Sequence, residues 1–268
     1  MLKDITLGQF FPGNTLAHRL DPRTKILLVV LYIAALFSAK RMVGYGLMAL
    51  TLAVCVKISG VKVKALVRGL KPVVFIVVFT AVLNIFFTPG ERYLLEVGFL
   101  RISDTGLENA VFMVLRIILL IMGTFLMTYT TSPISLTDGL EQLLTPLKRF
   151  RVPVHELSMM MSIALRFIPT LVEETDKIMS AQKARGADFE SGNLLEKAKA
   201  LIPILVPLFI SAFRRADELA TAMECRCYHG GEGRTKLHVL KYEGRDYAAL
   251  AGGAVILCAV LVLRHFGL

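Results

Sequence analysis

The chain has 268 residues, 55% of them hydrophobic and only 19% charged, with a mean hydropathy of +0.62, which excludes a soluble domain clothed in charge. The formal net charge of +10 does not point to nucleic acid: no basic run is interleaved with aromatics, and multi-span membrane chains gather Lys and Arg on one side. We therefore expect a lipid bilayer around much of the chain and no nucleic-acid partner.

The first residues, Met1 to Arg23, contain Asp4, Pro12, Asp21 and Pro22 and lack a short apolar core followed by small residues, so they do not read as a cleaved signal peptide. Residues 1 to 25 read as a cytoplasmic N-terminal segment. A membrane-crossing helix needs about 20 mostly apolar residues, with tilt relaxing the length. Candidate spans are 26 to 39, 42 to 58, 72 to 88, 110 to 131 and 247 to 263. Only Lys40 and Arg41 separate the first two, which form either a tight hairpin or one long helix. The hairpin is favoured, because two charges at the bilayer midplane would each cost several kcal/mol. Pro72 suits the first position of the third span, and Pro89-Gly90 supplies its stop.

Residues 59 to 71 carry Lys62, Lys64, Arg68 and Lys71 with no acid, whereas 89 to 109 balance Arg92 and Arg101 against Glu91, Glu96, Asp104 and Glu108. The first loop is therefore expected inside and the second outside. This puts the N-terminus and residues 132 to 245 in the cytoplasm and the C-terminus outside, with Lys40 and Arg41 on the disfavoured side. The expected organisation is all-α: transmembrane helices 1 to 4 in 26–131, long cytoplasmic helices in 132–245, and a C-terminal transmembrane helix in 246–268.

Three helices can be read between 132 and 245. The first opens near Ser135 or Thr137, with Leu140, Leu143, Leu144 and Leu147 at helical spacing. The second runs from about His155 to Ala184 and the third from about Leu194 to Cys225; each has an apolar part and a charged part, and Pro169, Pro203 and Pro207 are expected to bend them. The second ends in Ala184-Arg185-Gly186 and the third in Cys225-Arg226-Cys227, so each closes on an Arg between small residues, with glycine near. One reading is a pair of ordinary helix ends, where Arg meets unpaired carbonyls and glycine terminates the turn. The other is a pair of knobs for two equivalent sockets, since small neighbours permit close approach and Arg offers a fork to carboxylates or carbonyls.

At these residues the chain resembles the transmembrane coupling (T) component of energy-coupling factor (ECF) transporters, a branch of the ABC transporters. The likeness covers nearly the whole chain: Leu20-Asp21-Pro22-Arg23-Thr24-Lys25, Thr131-Ser132-Pro133, Leu136-Thr137-Asp138-Gly139-Leu140-Glu141, Ala164-Leu165-Arg166-Phe167-Ile168-Pro169, and the two Arg tips in order. The resemblance implies that Ala184, Arg185, Gly186, Cys225, Arg226 and Cys227 dock on two ABC ATPase subunits. It further implies a separate substrate-binding membrane (S) component, location in the cell membrane, and uptake of vitamins or other micronutrients. Cysteine on both sides of Arg226 departs from the commoner small-residue pattern, but cysteine is itself small and apolar.

The remaining constellations suggest no chemistry. No Gly-x-x-x-x-Gly-Lys-Ser/Thr loop is present, so energy is expected from a partner and the chain is expected to be non-catalytic, with no cofactor. His155-Glu156 lacks a second histidine one turn on; Cys225, Cys227 and His229 lack a second ligand pair, and no metal is expected. Gly230, Gly231 and Gly233 read as a connector. Met159, Met160 and Met161 serve either internal packing or an adaptable surface under the S component. Arg166 reads as structurally paired or on a lipid phosphate, and Arg116 as snorkelling from the outer end of its span. The alternative is a conventional ABC importer permease that binds substrate among its own helices; it predicts one coupling loop per subunit, and here there are two tips.

Overall fold

A computed structural model describes residues 10–88, 93–97, 100–189, 193–230 and 239–266. The regular elements of the described residues are helices apart from one antiparallel hairpin, β1 (Tyr93–Val97) with β2 (Leu100–Ser103). The chain divides into two compact units, one drawn from Gly8–Leu140 with Leu240–Leu268 and the other centred on Glu141–Val239.

The first unit holds α1 (Leu16–Arg19), α2 (Pro22–Ser38), α3 (Met42–Ser59), α4 (Val63–Leu70), a 3-10 turn (Lys71–Val73), α5 (Val74–Phe87), α6 (Asp104–Thr130) and α10 (Gly244–His265). Four stretches are long and apolar enough to cross a membrane: Met42–Ser59, Val63–Phe87, Asp104–Thr130 and Gly244–His265. α2, at 17 residues, is about a turn short, a mismatch that bilayer thinning or flanking charges accommodate. Lys40 and Arg41 separate α2 from α3, giving the hairpin rather than one long helix. Large side chains such as Phe75, Phe79, Phe87 and Val255 are exposed, as a bilayer-facing surface requires. The core they enclose is small and includes Leu36, Tyr45, Met48, Leu52, Leu66, Leu119 and Val260.

Contacts at the helix ends show the direction of each span. Asp21, which caps α2, bonds through its backbone N–H to Asp246 in the first turn of α10 (2.9 Å), and Lys25 donates to the Thr130 carbonyl at the end of α6 (2.8 Å). Thr15 Oγ1 donates to the last carbonyl of α3, that of Ser59 (3.1 Å). At the far end, Ser103 before α6 donates to Thr88 after α5 (2.8 Å), and Arg116 donates to Tyr45 (2.6 Å) and to Ala39 at the end of α2 (3.4 Å). So α2, α5 and α10 run away from one end of the bundle, and α3 and α6 return to it. The Arg116 guanidinium does not reach past its helix as the snorkelling reading expects; it turns inward to a tyrosine and a helix terminus, where cation and dipole attract.

The second unit holds the last residues of α7 (Pro133–Leu144), a 3-10 turn (Thr145–Phe150), α8 (Val154–Ala184) and α9 (Leu194–Glu224). Pro169 lies inside α8, and Pro203 and Pro207 inside α9, without dividing either helix. The expected stop at Pro89-Gly90, the charges of Glu91, Arg92, Glu96 and Arg101, and the connector residues Gly231 and Gly233 lie outside the described residues or their described side chains.

Candidate functional site

α8 and α9 are 31 residues each and lie antiparallel in one register. Gln182 bonds to the Pro203 carbonyl (3.3 Å), Glu174 accepts from Ser211 and from Arg215 (2.9 Å to the latter), and Tyr228 Oη donates to Met159 Sδ (3.2 Å). The Ser211 hydroxyl, and after it Arg215, hold the Glu174 carboxyl below its ordinary range, because both stabilise the ionised form.

This register separates the two tips. Arg226 lines a cavity of about 560 Å³ together with Met159, Ile163, Met223 and Tyr228, beside the first turns of α8, while Arg185 follows the last turn of the same helix. About 24 residues of helix, roughly 36 Å, lie between these levels.

The tips share one backbone geometry. After α8, Gly186 is left-handed at φ +89°; its N–H bonds to the Lys183 carbonyl (3.0 Å), and that of Ala187 to Gln182 (3.0 Å). After α9, Cys227 is left-handed at φ +53°; its N–H bonds to Glu224 (2.8 Å), and that of Tyr228 to Met223 (3.1 Å). Both are Schellman turns. Arg185 and Arg226 each stand one residue before the left-handed position, and each N–H bonds three residues back, to Gln182 and Met223 (both 3.1 Å). Ala184 thus corresponds to Cys225, and Gly186 to Cys227. All six residues are exposed, and neither guanidinium has a carboxylate partner among the described residues. A solvated cation on a rigid helix end, flanked by small side chains, is fitted to enter a shallow pocket that offers carboxylates or carbonyls.

The three methionines separate. Met160 and Met161 are exposed, whereas Met159 turns toward Tyr228 beside the second tip. His155 is not beside its sequence neighbour's chemistry either: its Nδ1 lies 3.1 Å from Glu141, whose other oxygen accepts from Ser158 at 2.7 Å. That carboxylate ties the end of α7 to the first turn of α8. No group of three or more His, Cys, Asp or Glu is placed to hold a metal among the described residues, and the four cysteines are free thiols.

In the span unit the two strings that carry the resemblance meet. A Cβ on Gly139 would stand 2.9 Å from Pro22 Cβ and 3.2 Å from the Arg23 N, so only glycine lets α7 approach the start of α2. Asp21 accepts from the Arg23 backbone (2.8 Å) and guanidinium (2.7 Å), and Arg23 stacks 3.9 Å above the Tyr242 ring. Asp246, almost fully buried, accepts from Asp21 and from the Glu243 N–H (2.9 Å each). Sequence reasoning passed over Asp246, since its partner lies 225 positions away.

Comparison with known proteins agrees with this architecture. The family model described as cobalt transport protein matches residues 13–237. An energy-coupling factor transporter transmembrane protein, EcfT, of Clostridium kluyveri is 54% identical over 265 residues, covering 98% of each chain. The chain belongs to the EcfT family. The proteins of the same name from Thermosediminibacter oceani and Bacillus subtilis are 53% and 48% identical, covering 98% of this chain and 99% and 100% of theirs. Family membership, with four apolar helical stretches long enough to span, makes the chain a multi-pass transmembrane component of an ECF transporter. It sets aside the reading as a conventional importer permease.

Proposed function

We propose that this subunit couples two ABC ATPases to a membrane-embedded substrate-binding component, gripping one ATPase with Arg185 and the other with Arg226. The observation that carries the reading is the shared Schellman hydrogen-bond pattern of two tips lying roughly 36 Å apart on an antiparallel helix pair. Two copies of one local shape suit two related sockets, and such a spacing suits sockets on separate polypeptides. In this reading Ala184, Gly186, Cys225 and Cys227 keep the backbone accessible, and the chain itself carries no catalytic group. Motion of the ATPases displaces the tips, and α8 and α9 carry that displacement to the substrate-binding component through exposed apolar residues, among them Met160 and Met161 on α8 and Phe209 and Phe213 on α9.

The bundle end that gathers Lys25, Lys62, Lys64, Arg68 and Lys71 faces the cytoplasm under the positive-inside rule, with the N-terminus on that side of the cell membrane. Vitamins or other micronutrients are the cargo class, and its identity belongs to the partner that binds it. The test is the double substitution Arg185→Glu with Arg226→Glu. It should abolish co-purification with the ATPases while the chain still inserts in the membrane; a double variant that still assembles and transports would refute the docking role.

A further inference from the structure

α4 opens the apolar stretch Val63–Phe87 and is set off from α5 by the 3-10 turn, yet it has both a basic and an apolar exposed strip. Its packed side is formed by Leu66, fully buried, and by Gly69, where a Cβ would fall 2.5 Å from Phe125 Cε2 and 3.2 Å from Tyr129 Oη. That contact fixes the roll of the helix against α6. Tyr129 is one residue from the end of α6, so α4 lies within about 8 Å of the end of a span, the depth at which interfacial helices rest. The opposite side presents Lys64 and Arg68 at i and i+4, and Lys71, the residue that caps α4 and opens the 3-10 turn in right-handed helical conformation, follows at i+7 on the same face. All three are exposed, and none has an ion-pair partner among the described residues. Beside them Val63 and Val67 are 58% and 54% exposed, an apolar strip next to a basic one, the pairing found on helices that lie in a membrane interface.

We propose that α4 is an interfacial binding site for anionic phospholipid, with Lys64, Arg68 and Lys71 holding headgroup phosphates while Val63 and Val67 enter the acyl boundary. Charge complementarity selects the occupant: residues 59–71 contain no acid, and the nearest continuous surface is that of the adjoining spans α3 and α5. Each cation at an anionic surface favours it about fivefold, so three on one face give marked selectivity over zwitterionic lipid. The inference rests on the membrane-spanning architecture and is independent of the docking role of Arg185 and Arg226.

The chain contains no tryptophan, so Val67→Trp installs a single reporter at an exposed position. The full chain is placed in phosphatidylcholine vesicles with a small fixed fraction of phosphatidylglycerol, brominated on one lipid or the other. Brominated phosphatidylglycerol should quench several-fold more per mole than brominated phosphatidylcholine. The excess should fall as salt rises and vanish in Lys64→Ser/Arg68→Ser/Lys71→Ser, while quenching by phosphatidylcholine persists and certifies that α4 is still in place. A charge-preserving Lys64→Arg/Lys71→Arg variant should keep the excess. Equal quenching by both lipids in the parent, no quenching by either, or an excess that survives the triple substitution would each overturn the proposal. So would an excess that disappears when the ATPases are added, since the stripe would then be a contact for an acidic protein surface.

Discussion

Gly186→Val offers a clean perturbation of the first tip, because a Cβ added there meets no atom within 4 Å and any effect must come from the backbone. At φ +89° a residue with a Cβ costs roughly 1–2 kcal/mol, and a β-branched one tends to the upper end. Against this stand the two hydrogen bonds of the Schellman turn, to Lys183 and Gln182, each contributing about 1 kcal/mol at most at so exposed a site. Strain and bonds nearly cancel, so the turn should be formed in about half of the molecules. If the ATPase binds only the formed tip, apparent affinity falls in proportion to that fraction, an expected weakening of about twofold.

The same arithmetic predicts the opposite sign at the second tip. Cys227 already occupies the left-handed region with a Cβ, at φ +53°, so Cys227→Gly relieves up to ~1 kcal/mol of strain and should leave docking unchanged or tighten it. The assay is equilibrium binding of each variant in detergent to immobilised ATPase, with the melting temperature of the variant chain as control; Gly186 follows the last turn of α8, where opening is local, and that temperature should not move. Wild-type affinity in Gly186→Val would show that the turn is not what docks. Weaker binding in Cys227→Gly would show that the thiol, rather than the backbone shape, is recognised.

Asp246→Ala removes two hydrogen bonds from a nearly fully buried carboxylate and strands the Asp21 N–H, so detergent-solubilised protein should lose on the order of 3 kcal/mol; wild-type melting would refute the role of this junction. Gly139→Ala should lower the melting temperature as well, by about 1–3 kcal/mol of overpacking against Pro22. Glu174→Gln should destabilise α8 against α9 at neutral pH. Because the Glu174 carboxyl is depressed in the folded protein, its contribution is present above the ordinary carboxylate range and is lost as pH falls through the folded value. The melting difference between Glu174→Gln and wild type should therefore shrink toward acid pH, and a difference independent of pH would refute the assignment.

The helices of the second unit were the most legible part of the chain. Their expected ends at Ala184 and Cys225 fall on or beside those observed, because a helix stop is local chemistry: a small residue, an Arg, then a position that goes left-handed. The sequence also suggested that the tips are alike, but composition alone could not show that Cys227 occupies the backbone state of Gly186. What failed to show was everything that depends on a distant partner. Met159 looks the same as Met160 and Met161 until Tyr228 is placed beside it, and Arg116 reads as a snorkelling side chain until Tyr45 and the end of α2 appear. The strings around Asp21 and Gly139 signalled a family without revealing why; the reason is steric and polar, the meeting of α7 with a capped start of α2.

The antiparallel register constrains how such a device can move. Both tips belong to one helix pair, and the links that join α8 to α9 are spread from Gln182 through Glu174 to Met159. A pull at Arg185 is therefore felt along the pair and not at one hinge. The links are few and polar: Ser211 and Arg215 on one partly exposed carboxylate, a single amide bond and a hydroxyl on sulfur, and at such accessible sites water competes for each of them. A pair held this way can slide or rotate at small cost while its apolar seam stays in contact, whereas each tip, locked by two backbone bonds, moves as a rigid piece. Rigid ends on a yielding stem are what transmission requires, since the grip must survive the displacement it conveys.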